Sequence, residues 1–413
     1  MSDIDPAALG ARAETMIQTL GSVSADSKRL VRQFLTPEHR RAADMIAGWM
    51  REQNLSVSED ALGTVRGRWP AGNGGKKLLI GSHIDTVVDA GMYDGPLGVI
   101  AGILAAGHFA KAGRRLGFGI DVLAFGDEEG LRFPATLASS TACAGIFDFS
   151  TLELADGDGI TLAQAIANYG QNVGDISAAA YLRDTAAAYV EVHIEQGPVL
   201  ELGHRPLGVV TSIAGQTYLN VQLLGEAGHA GTVPMRQRRD AFAGAAEVTL
   251  LAERLAQETE GEVLATIGHV TIPGAASNVI AGNVALIVDI RSGSDAARAR
   301  FVEHLRAQMR GIAERRQLGL LVTSTRDVAT TPCDPTLQEG FATAVTAVGA
   351  QPLRLSSGAG HDGTAMAKLC PIGMLFVRCR GGVSHNPLEY ASPADLGLAV
   401  AALIRFIERF EPF

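Results

Sequence analysis

Cysteine is scarce in this chain of 413 residues. There are four, Cys143, Cys333, Cys370 and Cys379, widely separated and without a CxxC pair. That argues against a disulfide framework or a zinc knuckle and fits a reduced, cytoplasmic location. Charge is sparse as well: 19% of residues are charged and 47% are hydrophobic, the balance of a folded globular protein. The net charge is −9, whereas neutralising phosphates needs basic patches, so no nucleic-acid partner is expected. The one basic cluster, RQRR at 236–239, reads as a solvated helix start. Long apolar runs are missing too. The most apolar segment, PLGVIAGILAAG at 96–107, falls far short of the roughly 20 residues a membrane span needs. It reads as a buried helix. The opening MSDIDPAALG has neither the basic nor the apolar region of a signal peptide. The expectation is a soluble cytoplasmic protein with no membrane partner.

The length exceeds one ordinary core, which makes two domains the natural division. From Pro6 to about Gln53 the pattern is helical, with a polar break at LTPEHR. Strand-like KLLIGSH, a helix from about Gly98 to Gly113, and strand-like IDVLAFGDEEG follow. Such alternation predicts a mixed, mainly parallel α/β sheet covered by helices, with sites where loops leave the strands' carboxyl ends. Past Gly208 the texture changes. TYLNVQLLG alternates with period two, putting Leu219, Val221 and Leu223 on one face. A helix over about 234–260, strands EVLATIGHVTI and NVALIVDIRS, a helix over about 295–316 and strand LGLLVTSTR complete a β-α-β-β-α-β order. That order predicts a ferredoxin-like α+β domain over 212–329, inserted in a larger domain of 1–211 plus 330–413. The run MLFVRC at 374–379 returns the chain to the first sheet.

Five residues stand out as carriers of chemistry: His83, Asp94, Glu129, His193 and His385. Each sits in a short turn-rich context: GSHID, YDG, GDEEG, EVHIEQG and GVSHNP. Imidazoles mixed with carboxylates suit zinc, manganese or nickel rather than calcium, which takes oxygen ligands throughout. Five ligands are too many for one tetrahedral ion. They suit two ions sharing a bridging carboxylate, an arrangement that activates water and polarises a carbonyl. Singly, each histidine reads as well as a structural loop residue, and spacing alone does not connect position 83 to position 385.

The stretches GSHIDTV, YDGPLGV, GDEEGLRF, VEVHIEQGPVLE, GHAGTVPM, SNVI, DIRS, SGAGHDG and SHNP run in order along nearly the whole chain. Together they resemble the M20 peptidase family, specifically its hydantoinase/carbamoylase branch of dinuclear amidohydrolases. The resemblance implies two divalent ions per subunit, manganese or zinc, with cobalt or nickel as possible substitutes. Asp94 would bridge, His83 and His193 would hold one ion, and Glu129 and His385 the other. Glu128 would be the general base, and Asp85 would orient His83 through its second ring nitrogen. His229 would reach an active site across a homodimer formed through 212–329 and donate to the developing oxyanion. Asn278 and Arg291 would clamp a substrate carboxylate, and Gln196 and Gly360 would touch the substrate. Alternation in NVALIVDIRS separately puts Leu286, Val288 and Ile290 on one face, with Asp289 and Arg291 on the other. That leaves either a carboxylate grip or a plain Asp289–Arg291 salt bridge open.

The branch cleaves carbamoyl C–N bonds of ureido acids, releasing ammonia and carbon dioxide. The segment MLFVRCRGGVSHNP leans the resemblance toward allantoate amidohydrolases. N-carbamoyl-L-amino-acid hydrolases and β-ureidopropionases are the alternatives. A dipeptidase or aminoacylase is disfavoured, because such relatives commonly carry a carboxylate where this chain has His193. A non-catalytic scaffold would predict a missing ligand, and none is missing. His39, His108, His204, His269 and His304 carry no motif and read as structural or exposed, while the roles of His361 and Asp362 stay open.

Overall fold

The computed structural model describes residues 4–70 and 75–412. The first three residues of the opening segment fall outside it. The chain forms two compact units: Met1–Thr211 with Cys333–Leu355 and Ala359–Phe413, and Ser212–Pro332 with Ser356–Gly358.

In the first unit the sheet runs Ser56–Glu59, Val65–Trp69, Gly119–Phe125, Lys77–His83, Ala186–Ile194, Ile372–Val377, Leu207–Ile213. The four strands from Gly119–Phe125 to Ile372–Val377 are mutually parallel, and the flanking pairs are antiparallel. Strands covered on both faces carry continuous apolar runs, and every position of Gly119–Phe125 and of Ala186–Ile194 is buried. Helix Pro96–Lys111 is buried almost all round and is started by a proline at its first position. Because the central strands are parallel, their carboxyl ends lie along one edge. There His83 ends its own strand, the 126–130 turn follows Phe125, and His193 sits one residue before its strand's end.

The second unit has the strand–helix order expected, with strands Gly215–Leu224, Val263–Thr271, Asn283–Ser292 and Gly319–Val328. The fourth strand pairs with the first, the first with the third, and the third with the second, all antiparallel. Leu219, Val221, Leu223, Leu286, Val288 and Ile290 are all fully buried in one core with residues of helices Ala241–Gln257 and Asp295–Arg316. Asp289 and Arg291 lie half-buried on the other face.

Two boundaries differ from the sequence reading. The helix expected from about 234 starts at Ala241, because Asp240 accepts hydrogen bonds from the Phe242 and Ala243 backbone and caps it there. The RQRR cluster is therefore not a helix start. Met235–Gln237 is a short 3₁₀ turn, and the Arg238 guanidinium is spent on the carbonyls of Val233 and Ala230. The N-terminal break is also longer than LTPEHR suggested. The first helix ends at Gly21, and the second begins at Pro37, where Thr36 caps it through the His39 N–H.

Candidate metal centre

Asp94 stands at the middle of the site. Its Oδ1 is 3.1 Å from His193 Nε2 and 3.7 Å from His83 Nε2, while its Oδ2 is 3.1 Å from His385 Nε2. His385 Nε2 is in turn 3.8 Å from Glu129 Oε2. One carboxylate thus turns one oxygen to each of two ligand sets, His83/Asp94/His193 and Asp94/Glu129/His385. Glu128 groups with His83 and Glu129 at the same place. His83, Asp94 and His193 are buried, and His385 is exposed.

Local structure explains how each side chain is aimed. His83 Nδ1 is 3.1 Å from the Asp85 carbonyl oxygen, and His193 Nδ1 is 2.9 Å from the Ile194 carbonyl oxygen. A carbonyl only accepts, so in both rings Nδ1 carries the hydrogen. In a neutral ring that leaves the Nε2 lone pair facing Asp94. His193 Nε2 is buried and makes no hydrogen bond, despite its 3.1 Å approach to the carboxylate. A lone pair facing a carboxylate oxygen calls for a cation between them, and this donor set of nitrogens and carboxylates fits a divalent transition ion. Gly95 is a position where glycine is required. Its φ is +82°, and a Cβ there would stand 2.6 Å from the His83 ring. Asp127, Gln196 and His385 also adopt left-handed backbone, with φ of 66°, 57° and 52°, which for non-glycine residues is uncommon and clusters at working sites.

Asp85 faces His83 with both main chain and side chain: its carbonyl accepts from the ring Nδ1 at 3.1 Å, and its Oδ1 stands 3.4 Å from the same nitrogen. The two carboxylate oxygens also accept from the backbone N–H groups of Glu128 and Glu129, each at 3.2 Å. That fixes the turn from which these two glutamates diverge. Burial pushes the Glu129 carboxyl up to about 7. Glu128 is driven well above the usual carboxylate range, first by burial, with Asp362, Glu129 and Asp85 adding repulsion against the pull of His83. So many carboxylates in one buried pocket are costly without positive charge among them. A bound divalent ion supplies that charge and reverses the local balance.

The other candidates fall into two groups. In the first unit, Gln196 Nε2 donates to Asp94 Oδ2 at 2.9 Å and to Ser384 Oγ at 3.1 Å, so it touches a ligand rather than open space. Gly360 lies beside Glu128, where a Cβ would stand 3.6 Å from Oε1. His361, left open by the sequence, packs edge-on against His193 with ring centroids 4.5 Å apart. In the second unit, His229 and Asn278 are exposed and close in the fold: Val279 pairs with His229, and the Asn278 carbonyl accepts from the Ala230 N–H at 2.8 Å. His229 Nδ1 accepts from the Gly231 N–H at 3.0 Å. A backbone N–H only donates, so His229 is neutral there and presents its proton on Nε2. Arg291 makes the plain ion pair foreseen as its bland alternative. Its Nε and Nη2 face Asp289 at 3.1 and 2.9 Å, and its Nη1 donates to the Gly358 carbonyl at 2.8 Å.

Three residues escaped the sequence reading. Glu191 is fully buried and accepts from Ser82 Oγ, Tyr189 Oη and the Gly363 N–H, beside His193 and His361. Strand alternation offered the signal, since Glu191 and His193 are two residues apart in an otherwise apolar run and share a face. Buried Arg32 donates to the Ile84 carbonyl at 2.6 Å and its N–H bonds Thr86 Oγ1, holding the chain on both sides of Asp85. Glu389, fixed to the backbone of Asp94, is the third.

Two candidate ligand sets sharing Asp94 at the carboxyl ends of parallel strands, in a chain that also carries a ferredoxin-like unit, define the class. The chain matches the Peptidase family M20/M25/M40 over residues 79–409 and belongs to that family. Its curated relatives include an allantoate deiminase of Arabidopsis thaliana, 40% identical over 98% of this chain and 83% of the relative. Another is an N-carbamoyl-L-amino acid amidohydrolase of Geobacillus stearothermophilus, 37% identical over 95% of this chain and 97% of the relative. Among solved structures, a hydantoinase/carbamoylase family amidase from Burkholderia ambifaria superposes with a TM-score of 0.90 at 32% identity, covering 98% of this chain and 97% of that one.

Proposed function

We propose that this protein is a metal-dependent amidohydrolase that cleaves the carbamoyl C–N bond of a ureido acid, with allantoate as its substrate. The observation that carries the reaction class is Asp94, one carboxylate turned to two sets of ligands. The substrate rests on the full-length likeness to an allantoate deiminase. A second reading, hydrolysis of N-carbamoyl-L-amino acids, rests on the somewhat lower likeness to an amidohydrolase of that class. His83, Asp94 and His193 would hold one divalent ion, and Asp94, Glu129 and His385 the other, manganese or zinc in each. Bound there, the pair polarises the ureido carbonyl and makes water acidic enough to lose a proton.

The protein's own residues do the rest. Glu128, half-buried and poised with a raised pKa, takes the proton from water and returns it to the departing nitrogen. The products are ammonia, carbon dioxide and an amino or ureido compound. His229 offers its Nε2–H to the oxyanion as it develops, with the tautomer set by Gly231. Asn278 and Arg291 bind the substrate carboxylate. Asp289 takes the Nε side of the Arg291 fork, and the Gly358 carbonyl takes an N–H of Nη1. The reading includes a cytoplasmic homodimer through residues 212–329. An exposed apolar stripe of Phe242, Ala246 and Leu250 on helix Ala241–Gln257 supports it. No described helix is long and apolar enough to cross a membrane.

The test is ammonia release by chelated protein reloaded with manganese, offered allantoate, N-carbamoyl-L-methionine, 3-ureidopropionate and a dipeptide in parallel. A metal-dependent rate on allantoate above the others is the expected result. Cleavage of the dipeptide alone would overturn the reading, and a faster rate on the N-carbamoyl amino acid would favour the second.

A further inference from the structure

Glu389 is buried, carries a carboxylate, and belongs to neither ligand set. Its Oε1 accepts from the backbone N–H of Tyr93 at 2.9 Å and from that of Asp94 at 3.1 Å. Its Oε2 accepts from Ser384 Oγ at 3.0 Å, and the same hydroxyl lies 3.3 Å from Asp94 Oδ2. The Glu389 N–H is bonded to the Asn386 carbonyl, which closes the turn that also displays His385. One carboxylate therefore ties the loop carrying Asp94 to the loop carrying His385, across 296 positions of sequence. Space is kept for it, since a Cβ on Gly91 would stand 2.3 Å from Glu389 Oε1. Burial and the neighbouring Asp94 both raise the cost of this charge.

We propose that Glu389 is a positioning residue: holding the Tyr93–Asp94 backbone from the His385 loop, it sets the separation of Asp94 Oδ2 from His385 Nε2 and hence the affinity for the ion those two share. Support from such outer partners is commonly worth about 10- to 100-fold in metal affinity. The proposal rests on the two-ion reading above. Its weight falls on the ion shared with His385, because the other ion also has His83 and His193, whose rings are held by the main-chain carbonyls of Asp85 and Ile194.

The experiment is cobalt titration of the chelated full chain and its Glu389→Ala, Glu389→Gln and Ser384→Ala variants. Stoichiometry and visible cobalt absorption would be followed, with thermal unfolding of each cobalt-free protein alongside. Wild type is expected to take two ions. Glu389→Ala should hold the first within about threefold of wild type and the second about 10- to 100-fold more weakly. Glu389→Gln should restore the second to within about threefold, since its amide oxygen still accepts both N–H groups and its amide nitrogen can donate to Ser384. Ser384→Ala should weaken the second ion by a smaller factor, about fivefold. If Glu389→Ala binds both ions with unchanged affinity and spectrum, or if Glu389→Gln fails to rescue, the proposal is overturned while the two-ion reading stands. A wild type that takes no cobalt removes the two-ion reading itself and this proposal with it. Should Glu389→Ala not fold, unchanged affinity in Ser384→Ala overturns the proposal on its own.

Discussion

The buried candidate ligands and the proposed substrate donors are built in opposite ways. His83, Asp94 and His193 are 1, 4 and 1% exposed; the two rings are steadied by adjoining main-chain carbonyls and Asp94 by Glu389 from the far end of the chain. His229 and Asn278 are exposed, and each is fixed by main-chain hydrogen bonds within one short ladder. Arg291 is half-buried and held by Asp289 and Gly358. The difference teaches what each chemistry needs. Metal affinity depends on ligand positions held to a fraction of an ångström, which the buried His83, Asp94 and His193 are placed to provide while His385 closes the set from the exposed side. Donors to a passing substrate must stay open to it and need only a fixed tautomer or fork.

That contrast can be broken or sharpened by substitution. The largest effect is expected for Asp94→Ala, which removes the ligand common to both sets. Elemental analysis should then find both ions lost and no measurable ammonia release. Retention of two ions would end the bridging assignment. Glu128→Gln keeps the shape and removes the base, so both ions should stay while kcat falls by about 10²- to 10⁴-fold. His229→Ala on the open side should leave metal content untouched and lower kcat by on the order of 10²- to 10³-fold. A loss of metal in that variant would mean the two regions are not separable. Smallest is Arg291→Lys, which keeps charge but loses the fork. KM for the ureido acid should rise by roughly 10-fold, at the lower end of what a charged hydrogen bond contributes, with kcat nearly unchanged. A neutral amide analogue of the substrate should show no such penalty.

Much of the fold was legible because it rests on local periodicity. Alternation put Leu219, Val221 and Leu223 on the buried face, and the bounds of Asn283–Ser292 coincide with the run NVALIVDIRS. The start of helix Ala241–Gln257 was misread because RQRR looked helical, and the cap at Asp240 outweighed that pattern. At the site, residue types and turn contexts nominated His83, Asp94, Glu129, His193 and His385, and the structure brings them together around Asp94. Their partners were less legible. Asp85 read as a support for His83, and its carboxylate, besides facing that ring, also holds the 128–129 backbone, a bond no spacing rule encodes. Gln196 read as a substrate contact from its motif, and nothing in that motif foretold its hydrogen bond to Asp94.

The sequence by itself determined which segments are strands and helices, the order of the ferredoxin-like unit, and the inventory of ligands and acids. Those depend on neighbours a few residues apart, where burial and hydrogen bonding repeat with a fixed period. Only the tertiary structure decided that Asp94 turns one oxygen to each ligand set and that Glu389 clasps it from the far end of the chain. Those are matters of ångström-scale direction between parts of the chain that the parallel sheet and the antiparallel ladder align, and direction is fixed only when the strands are in register.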